Sequence, residues 1–569
     1  MTVAPLQQFL VTPNPPHRVR QFWFALSLVY AAVYGAIALH EAFSHPYIVS
    51  DDARQHIFWM RRFNDPELFP NDLIADYFQS VAPEGYATVY RLGAMLGLDP
   101  LLLGKLLPFA LGLVVTGYGF HLCLQLLPVP MAGFLATALF NQNLWMRDDL
   151  ASGTARAFLN PIFVAFLYYL LRRSLFPALA AIALTGLFYP QYVLVSAGLL
   201  GLQSLRWEKG RLGLTCNRRD LTMSLTGLAL AFCVLLPYAL QVSEFDPVIS
   251  ASEAKTLPEF LPGGRVRFFY DDFGRFWLSG GRSGIQPALD PPLLCVGLLL
   301  PLLWRFPSRF PLVARVSKDI RVLPRLIVVS LGLFFAAHAL LFQLHLPSRY
   351  TQHSLRVVMA LAASVALTVM LDAILKWAKG RSRQWFAGAA TIALFAYLFG
   401  YPTTLHDFPK TNYIVGESPA LYRYFAQQPK DSLIASISPE ADNLPTFARR
   451  SILVGREYAI PYHLGYYRPF RQRLSDLIRA QYTSESGDLR RFVQEYNIDL
   501  WLLDRAAFDP EYLRHHPWLD QYPQVRDKVL EQLQDGNSPA LVRVVEPCAT
   551  FRSDRSIVVP TTCILNTLP

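Results

Sequence analysis

Tyr47-Ile-Val-Ser-Asp-Asp-Ala-Arg-Gln-His56 is the stretch on which the reading of this chain turns. It follows an apolar run of transmembrane length, Phe22 to Leu39. If that run spans a bilayer, it delivers two adjacent carboxylates, Asp51 and Asp52, to the far membrane surface. Ionisable groups close to a bilayer are costly, so function is the default explanation for them. Many further apolar runs follow. Carboxylates in the first outer loop of such a chain suggest an enzyme working at the membrane face on a lipid-linked substrate. The alternative is that they cap a loop helix.

The composition agrees with a membrane setting. Only 17% of the 569 residues are charged, against about 25% in soluble proteins. Hydrophobic residues make up 53%, and the mean hydropathy is +0.26. The apolar runs are broken by Pro, Gly and short charged loops, as in a helical bundle rather than an outer-membrane barrel. The first run is too long for a signal-peptide core and reads as a retained span. A net charge of +10 would suit nucleic acid, but the basic residues sit mainly in loops between runs, where they set topology. No nucleic-acid partner is expected; the bilayer is.

Eleven spans are expected, near 21–40, 101–127, 130–145, 156–173, 175–189, 190–205, 222–241, 289–304, 326–345, 356–376 and 385–402. Pro190 either bends one span or separates two. Residues 86–98 are assigned to a helix lying on the outer face. Counting sides puts Arg18, Arg20, Arg172, Arg173 and the basic stretches 206–219, 305–325 and 376–383 together. By the positive-inside rule that side is the cytoplasm. The N-terminus is then cytoplasmic. Loops 41–100, 146–155 and 242–288 and the C-terminal segment lie outside, most simply across a bacterial inner membrane.

Residues 1–402 thus form the expected transmembrane domain, and the pattern changes from 403. Short Val-, Ile- and Leu-rich runs at 432–436, 451–455, 499–504, 540–545 and 556–559 read as strands. Amphipathic stretches at 417–428 and 486–496 lie between them. Strands alternating with helices predict an extracytoplasmic α/β domain over 403–569. Cys548 and Cys563, close together there, either pair as a disulfide or stay as two thiols. Cys123, Cys216, Cys233 and Cys295 show no metal-ligand spacing.

Asp51 and Asp52 are the candidate catalytic groups. A carboxylate facing the membrane surface can accept a proton from an acceptor or bind a divalent cation. Helical spacing puts His56 one turn beyond Asp52, with Arg54 between. Asp65 and Glu67 read as loop chemistry, while Asp72 and Asp76 stay open. The second outer loop, Arg147-Asp-Asp-Leu-Ala-Ser-Gly-Thr-Ala-Arg156, brings Asp148, Asp149 and Arg156 to the same face. Its acids either converge with the first pair, or Asp149 or Ser152 caps the next helix. Tyr189 and Tyr192 read as interface anchors, with Gln191 between them a candidate substrate contact. In loop 242–288, a candidate cover for a cleft, Asp271 and Asp272 read as structural. Arg349 and Arg356 are spaced two helical turns apart. Arginine offers a fork of donors suited to a lipid phosphate, the alternative being interfacial snorkelling.

Ser50-Asp-Asp-Ala-Arg-Gln-His56, Arg147-Asp-Asp149 and Leu346-Pro-Ser-Arg-Tyr350, set in this architecture, resemble the C-type-fold (GT-C) glycosyltransferases. That superfamily includes oligosaccharyltransferase catalytic subunits, protein mannosyltransferases and aminoarabinose transferases. The resemblance implies a polyprenyl-phosphate or diphosphate sugar donor. It gives Asp51 or Asp52 the role of base or metal ligand and Arg349 that of phosphate holder. Asp148 or Asp149 would match the second-loop acid of oligosaccharyltransferases. With magnesium or manganese as the option, Asp52, Asp148 and Asp149 would be its ligands; whether any cofactor is used stays open. The chain lacks the Trp-Trp-Asp signature of oligosaccharyltransferases and has Asp-Asp where protein mannosyltransferases have Asp-Glu, so no branch is assigned. The competing readings are a transporter or flippase for a lipid-linked glycan, and a non-catalytic glycan-assembly protein.

Overall fold

The computed structural model describes residues 3–208, 211–215, 217–240 and 242–568. Cys216 and Gln241, the last residue of the expected span 222–241, lie outside the described residues. Among the described residues, six helices are long and apolar enough to cross a membrane: His17–Ala42, Pro100–Leu126, Arg218–Leu240, Lys318–Ala339, Ser348–Trp377 and Arg381–Thr404. The chain is an integral membrane protein.

The other five expected spans are also helical but shorter than the ~20 residues a perpendicular crossing needs. They are Pro130–Trp145, Ala155–Leu171, Leu175–Phe188, Val193–Ser204 and Pro292–Arg305. The expectation of about eleven spans, several of them short, is thus met in part, and the breaks have visible causes. Pro190 opens a short 3-10 turn, Pro190–Tyr192, so it separates two helices rather than bending one. Pro292–Leu299 is also 3-10 and runs into the helix Leu300–Arg305; its rise of ~2 Å per residue lets a short sequence reach further.

Ser348–Trp377 is the most enclosed of the long helices, with 78% of its apolar window buried. Small residues let neighbours approach it. A Cβ on Gly297 would stand 2.9 Å from the Ala363 backbone nitrogen, so only glycine admits the 3-10 segment there. Two amide side chains donate hydrogen bonds between helices of the bundle. Gln142 donates to Tyr30 and to the Leu398 carbonyl, each at 2.6 Å, and Asn141 donates to Thr116 at 2.8 Å.

Loop 41–100 folds into short elements. After the strand Ile48–Ser50 come the helix Asp51–His56, a 3-10 turn Phe58–Phe63 and the helices Leu73–Ser80 and Glu84–Met95. The last is the helix expected at 86–98, too short to span. Asp72 caps Leu73–Ser80 by accepting from the Ile74 and Ala75 amides, and Asp76 pairs with Arg62 at 2.8 Å. Both acids left open by the sequence are therefore structural. Asp65 and Glu67 pair with Lys430 at the surface.

The C-terminal segment carries a five-stranded mixed sheet in the order Ser451–Ile452, Leu433–Ala435, Leu500–Asp504, Ser556–Pro560 and Phe551–Arg552. The first three strands run parallel and the last two pairings are antiparallel. The strand expected at 540–545 is instead the helix Val542–Cys548. Leu541, Val544, Val545 and Cys548 are buried with helical spacing, which a short apolar run conceals. Cys548 and Cys563 form a disulfide. The helices Leu464–Tyr482 and Pro523–Gln534 have no counterpart in the pattern expected from sequence.

A strand pairing helps tie the first loop to the C-terminal segment. Ile48–Ser50 pairs antiparallel with Tyr413–Val415, matching Ser50 with Tyr413, and the Asp51 amide donates to the Asn412 carbonyl at 3.0 Å. The C-terminal segment thus holds the start of the Asp51–His56 helix.

Candidate active site

Within that short helix, spacing sorts the side chains. Asp51 and Arg54, three residues apart, pair with each other. Arg54 continues to Glu457 at 3.2 Å and to Asn443 at 3.1 Å. Gln55 donates to the Glu457 carbonyl at 2.8 Å and to its carboxylate, which also receives Arg265 from loop 242–288. Glu457 thereby ties the helix, that loop and the C-terminal segment together. Asp52 and His56, four residues apart, face a different space: a cavity of about 410 Å³. Neither aspartate caps the helix, whose N-cap is Ser50.

The loop 146–155 meets Asp52 through Arg156. This guanidinium pairs with Asp52 and, at 3.3 Å, with Asp148; its Nε lies 3.0 Å from Asp149, an ion-pair distance without hydrogen-bond alignment. Asp149 is also held by Arg356, whose side chain is 1% exposed. Asn412 donates to Asp148 at 3.1 Å. The acids of the two loops do converge, on a shared arginine. Neither Asp149 nor Ser152 caps the next helix.

These surroundings push the three carboxyls apart. Burial raises each, but Arg356 and Arg156 outweigh it at Asp149, which lies well below the usual range. At Asp52, Arg156 aided by His56, Arg265 and Arg349 likewise leaves a net lowering against burial. At Asp148 burial wins, helped by Asp52 and Asp149, and its pKa is raised. His56 is lowered by burial despite Asp52 beside it.

The cavity walls come from six parts of the chain. Asp52 and His56 face Arg156, the Tyr189-Pro-Gln191 turn, Arg265 and Arg282 of loop 242–288, His345 and Arg349 near the start of Ser348–Trp377, and Tyr462 and His463 of the C-terminal segment. Four arginines and one carboxylate line it, a balance that favours an anionic ligand. Among the described residues neither Arg282 nor Arg349 makes an ion pair. Their backbones are joined: the Ser348 amide donates to the Arg282 carbonyl at 3.2 Å, and Ser348 and Gln352 side chains donate to the Gly281 carbonyl. Opposite, Tyr77 stacks on Tyr466 at 3.8 Å and shares a hydrogen bond with His463 at 3.1 Å.

Of the candidate residues, Asp52, His56, Arg156, Gln191 and Arg349 share the cavity. Asp51 and Arg54 turn toward Glu457, away from it. Asp148, Asp149 and Arg356 stand behind Arg156 and do not line it; Arg356 anchors Asp149 instead of reaching a ligand. Tyr189 and Tyr192 are buried at 8% and 0% exposure, so neither is an interface anchor. Sequence reasoning missed Arg282, Glu457 and His463. Arg282 carries only a weak signal, a lone arginine in a Gly-rich loop, and the others none.

The expected ligand set for magnesium or manganese does not fit this arrangement. Asp52, Asp148 and Asp149 are together, but each is turned onto the Arg156 guanidinium. Among the described residues no three His, Cys, Asp or Glu side chains gather as a metal-binding group.

No family model matches the sequence, and no curated protein matches it. Solved structures do. The oligosaccharyltransferase of Archaeoglobus fulgidus, tethered to an acceptor peptide containing the NVT sequon, superposes with a TM-score of 0.51 at 11% identity, over 89% of this chain and 72% of that one. The same organism's oligosaccharyltransferase AglB, in complex with an inhibitory peptide and a dolichol-phosphate, gives 0.51 at 11% identity over 88% and 71%. The chain shares the overall fold of these oligosaccharyltransferases. The resemblance read from the three short motifs is therefore borne out at the level of architecture. In this chain the carboxylate that opens onto the cavity is Asp52, and the cations facing it without an ion pair among the described residues are Arg282 and Arg349.

Proposed function

We propose that this chain is a membrane glycosyltransferase that moves a sugar from a polyprenyl-phosphate or diphosphate donor to an acceptor on the extracytoplasmic face. The observation that carries this reading is the pairing, across one cavity, of a single carboxylate with two arginines that have no acidic partner. The acceptor attacks the anomeric carbon and the bond from that carbon to the phosphate oxygen breaks. The phosphate keeps the bonding electrons, and Arg349 and Arg282 hold its growing negative charge. Asp52 orients the acceptor and takes its proton. Asp149, Asp148 and Arg356 fix Arg156, which fixes Asp52. That the archaeal neighbour binds a dolichol-phosphate supports a polyprenyl-linked donor here as well. The positive-inside count supports a cytoplasmic N-terminus and an extracytoplasmic domain over 403–569, in a bacterial inner membrane as the expected setting.

The test is to profile glycans and lipid-linked sugars in cells carrying Asp52→Asn, with membrane expression checked. Loss of one sugar with accumulation of its lipid-linked donor is expected. An unchanged profile across lipids, protein glycans and surface polysaccharide contradicts the reading and moves it to transport or assembly.

A further inference from the structure

The geometry points to Arg156 as a built-in cation that occupies the place of a divalent metal at this site. Three carboxylates from two loops, Asp52, Asp148 and Asp149, converge on one guanidinium. A hard dication gathers carboxylates in this way, through oxygen atoms. Here one guanidinium does so instead: Nη2 serves Asp52 and Asp148, and Nε lies beside Asp149. The planar fork of an arginine, always charged, can bridge several carboxylates at once. Arg356 supplies a second fixed charge on Asp149 from the far side. A dication added among the same oxygens would meet Arg156 at close range and be repelled. Arg156 is anchored by the chain itself, in a turn that opens the apolar helix Ala155–Leu171, and its side chain is 15% exposed. The positive charge is thus present without any ion from solution. What that charge does for Asp52 rests on the proposed transferase function; whether it takes the metal's place does not.

The experiment is a Mn²⁺ titration of the purified full-length chain, followed by electron paramagnetic resonance, with Arg156→Gln beside wild type. Wild type is expected to bind no stoichiometric Mn²⁺ at millimolar concentration. Arg156→Gln, which leaves three carboxylates without their cation, is expected to gain one site, lost again in Arg156→Gln/Asp149→Asn. Wild-type binding of one Mn²⁺ per chain that disappears in Asp149→Asn overturns the inference, and this arm needs no folded Arg156 variant. A folded Arg156→Gln protein that gains no site overturns it too. Sugar transfer is measured in parallel with and without chelator. A wild type that transfers no sugar in either condition, yet titrates as expected, defeats the transferase reading and leaves Arg156 in the metal's place. Transfer abolished by chelator and restored by Mn²⁺ in wild type defeats the inference and leaves the transferase reading standing.

Discussion

Arg156 reaches from the base of one loop to Asp52 at the start of another, so the carboxylate facing the cavity is held by a residue 104 positions further along the chain. Its neighbour Asp51 shares none of this and is spent on Arg54. Adjacent aspartates therefore have separate work.

Substitution should expose that division. Asp52→Asn is expected to lower sugar transfer by ~10²–10⁴-fold, the range for losing a positioned acid–base group. Asp51→Asn is expected to cost far less and to act through stability. Rates for both variants, with melting temperatures in detergent, check this; equal losses in rate would remove the special place of Asp52.

Arg349 and Arg282 should show in donor affinity. A charged hydrogen bond contributes ~1.5–3 kcal/mol, so Arg349→Ala is expected to weaken donor binding about 10- to 100-fold, with Arg349→Lys recovering part. Native mass spectrometry of the chain with a polyprenyl phosphate reads this directly. Lipid retention unchanged in an Arg282→Ala/Arg349→Ala double variant would contradict the phosphate site.

The contribution of Glu457 to stability should fall between mildly acid and neutral pH. Burial, with Asp51 and Asp442, pushes its pKa up to about 7 against the pull of Arg265 and Arg54. Asp442 beside it is raised to about 6, again chiefly by burial. A carboxyl whose folded pKa is raised favours the folded state below its unfolded pKa, and that contribution is lost as pH rises through the folded value. The window is therefore from about 4.5 to about 7. Asp149 acts in the opposite sense, but only below its ordinary value of 3.8. The melting temperature of wild type relative to Glu457→Gln is expected to be higher at pH 5 than at pH 8, because buried histidines with lowered pKa values, such as His345 and His463, act oppositely in both proteins and cancel in the comparison. A difference between the two proteins that does not change over this window would count against the buried tie.

The disulfide Cys548–Cys563 closes a loop with a sequence separation of 15 residues. Opening such a loop costs ~3 kcal/mol in the chain-entropy model. Cys563→Ser should lower the melting temperature while leaving donor affinity unchanged, since neither cysteine lines the cavity. Mass spectrometry under non-reducing conditions, with calorimetry of the variant, tests both parts.

The membrane bundle was legible because apolar runs betray helices whatever their partners, and all eleven runs are helical. Their lengths were less legible, since prolines such as Pro190 end helices inside runs that look continuous. The run 540–545 shows the same ambiguity in miniature: six apolar-rich residues suit a strand or a helix, and burial at 541, 544, 545 and 548 decided for the helix. At the site, acidic pairs near two span ends were visible as candidates. Which aspartate of each pair opens onto the cavity depends on tertiary partners. Glu457 meets Arg54 from 403 positions away and Arg356 meets Asp149 from 207, separations that no local pattern encodes.

The most direct measurement is transfer by the purified chain itself. Wild type and Asp52→Asn would be supplied in turn with radiolabelled sugars on polyprenyl monophosphate and diphosphate, together with an extract containing acceptors. Wild type is predicted to release one of these sugars from its lipid onto an acceptor, with the lipid phosphate left behind and Asp52→Asn inactive although it still binds the donor. Donors left intact by wild type, or consumed equally by Asp52→Asn, would contradict catalysis at this cavity.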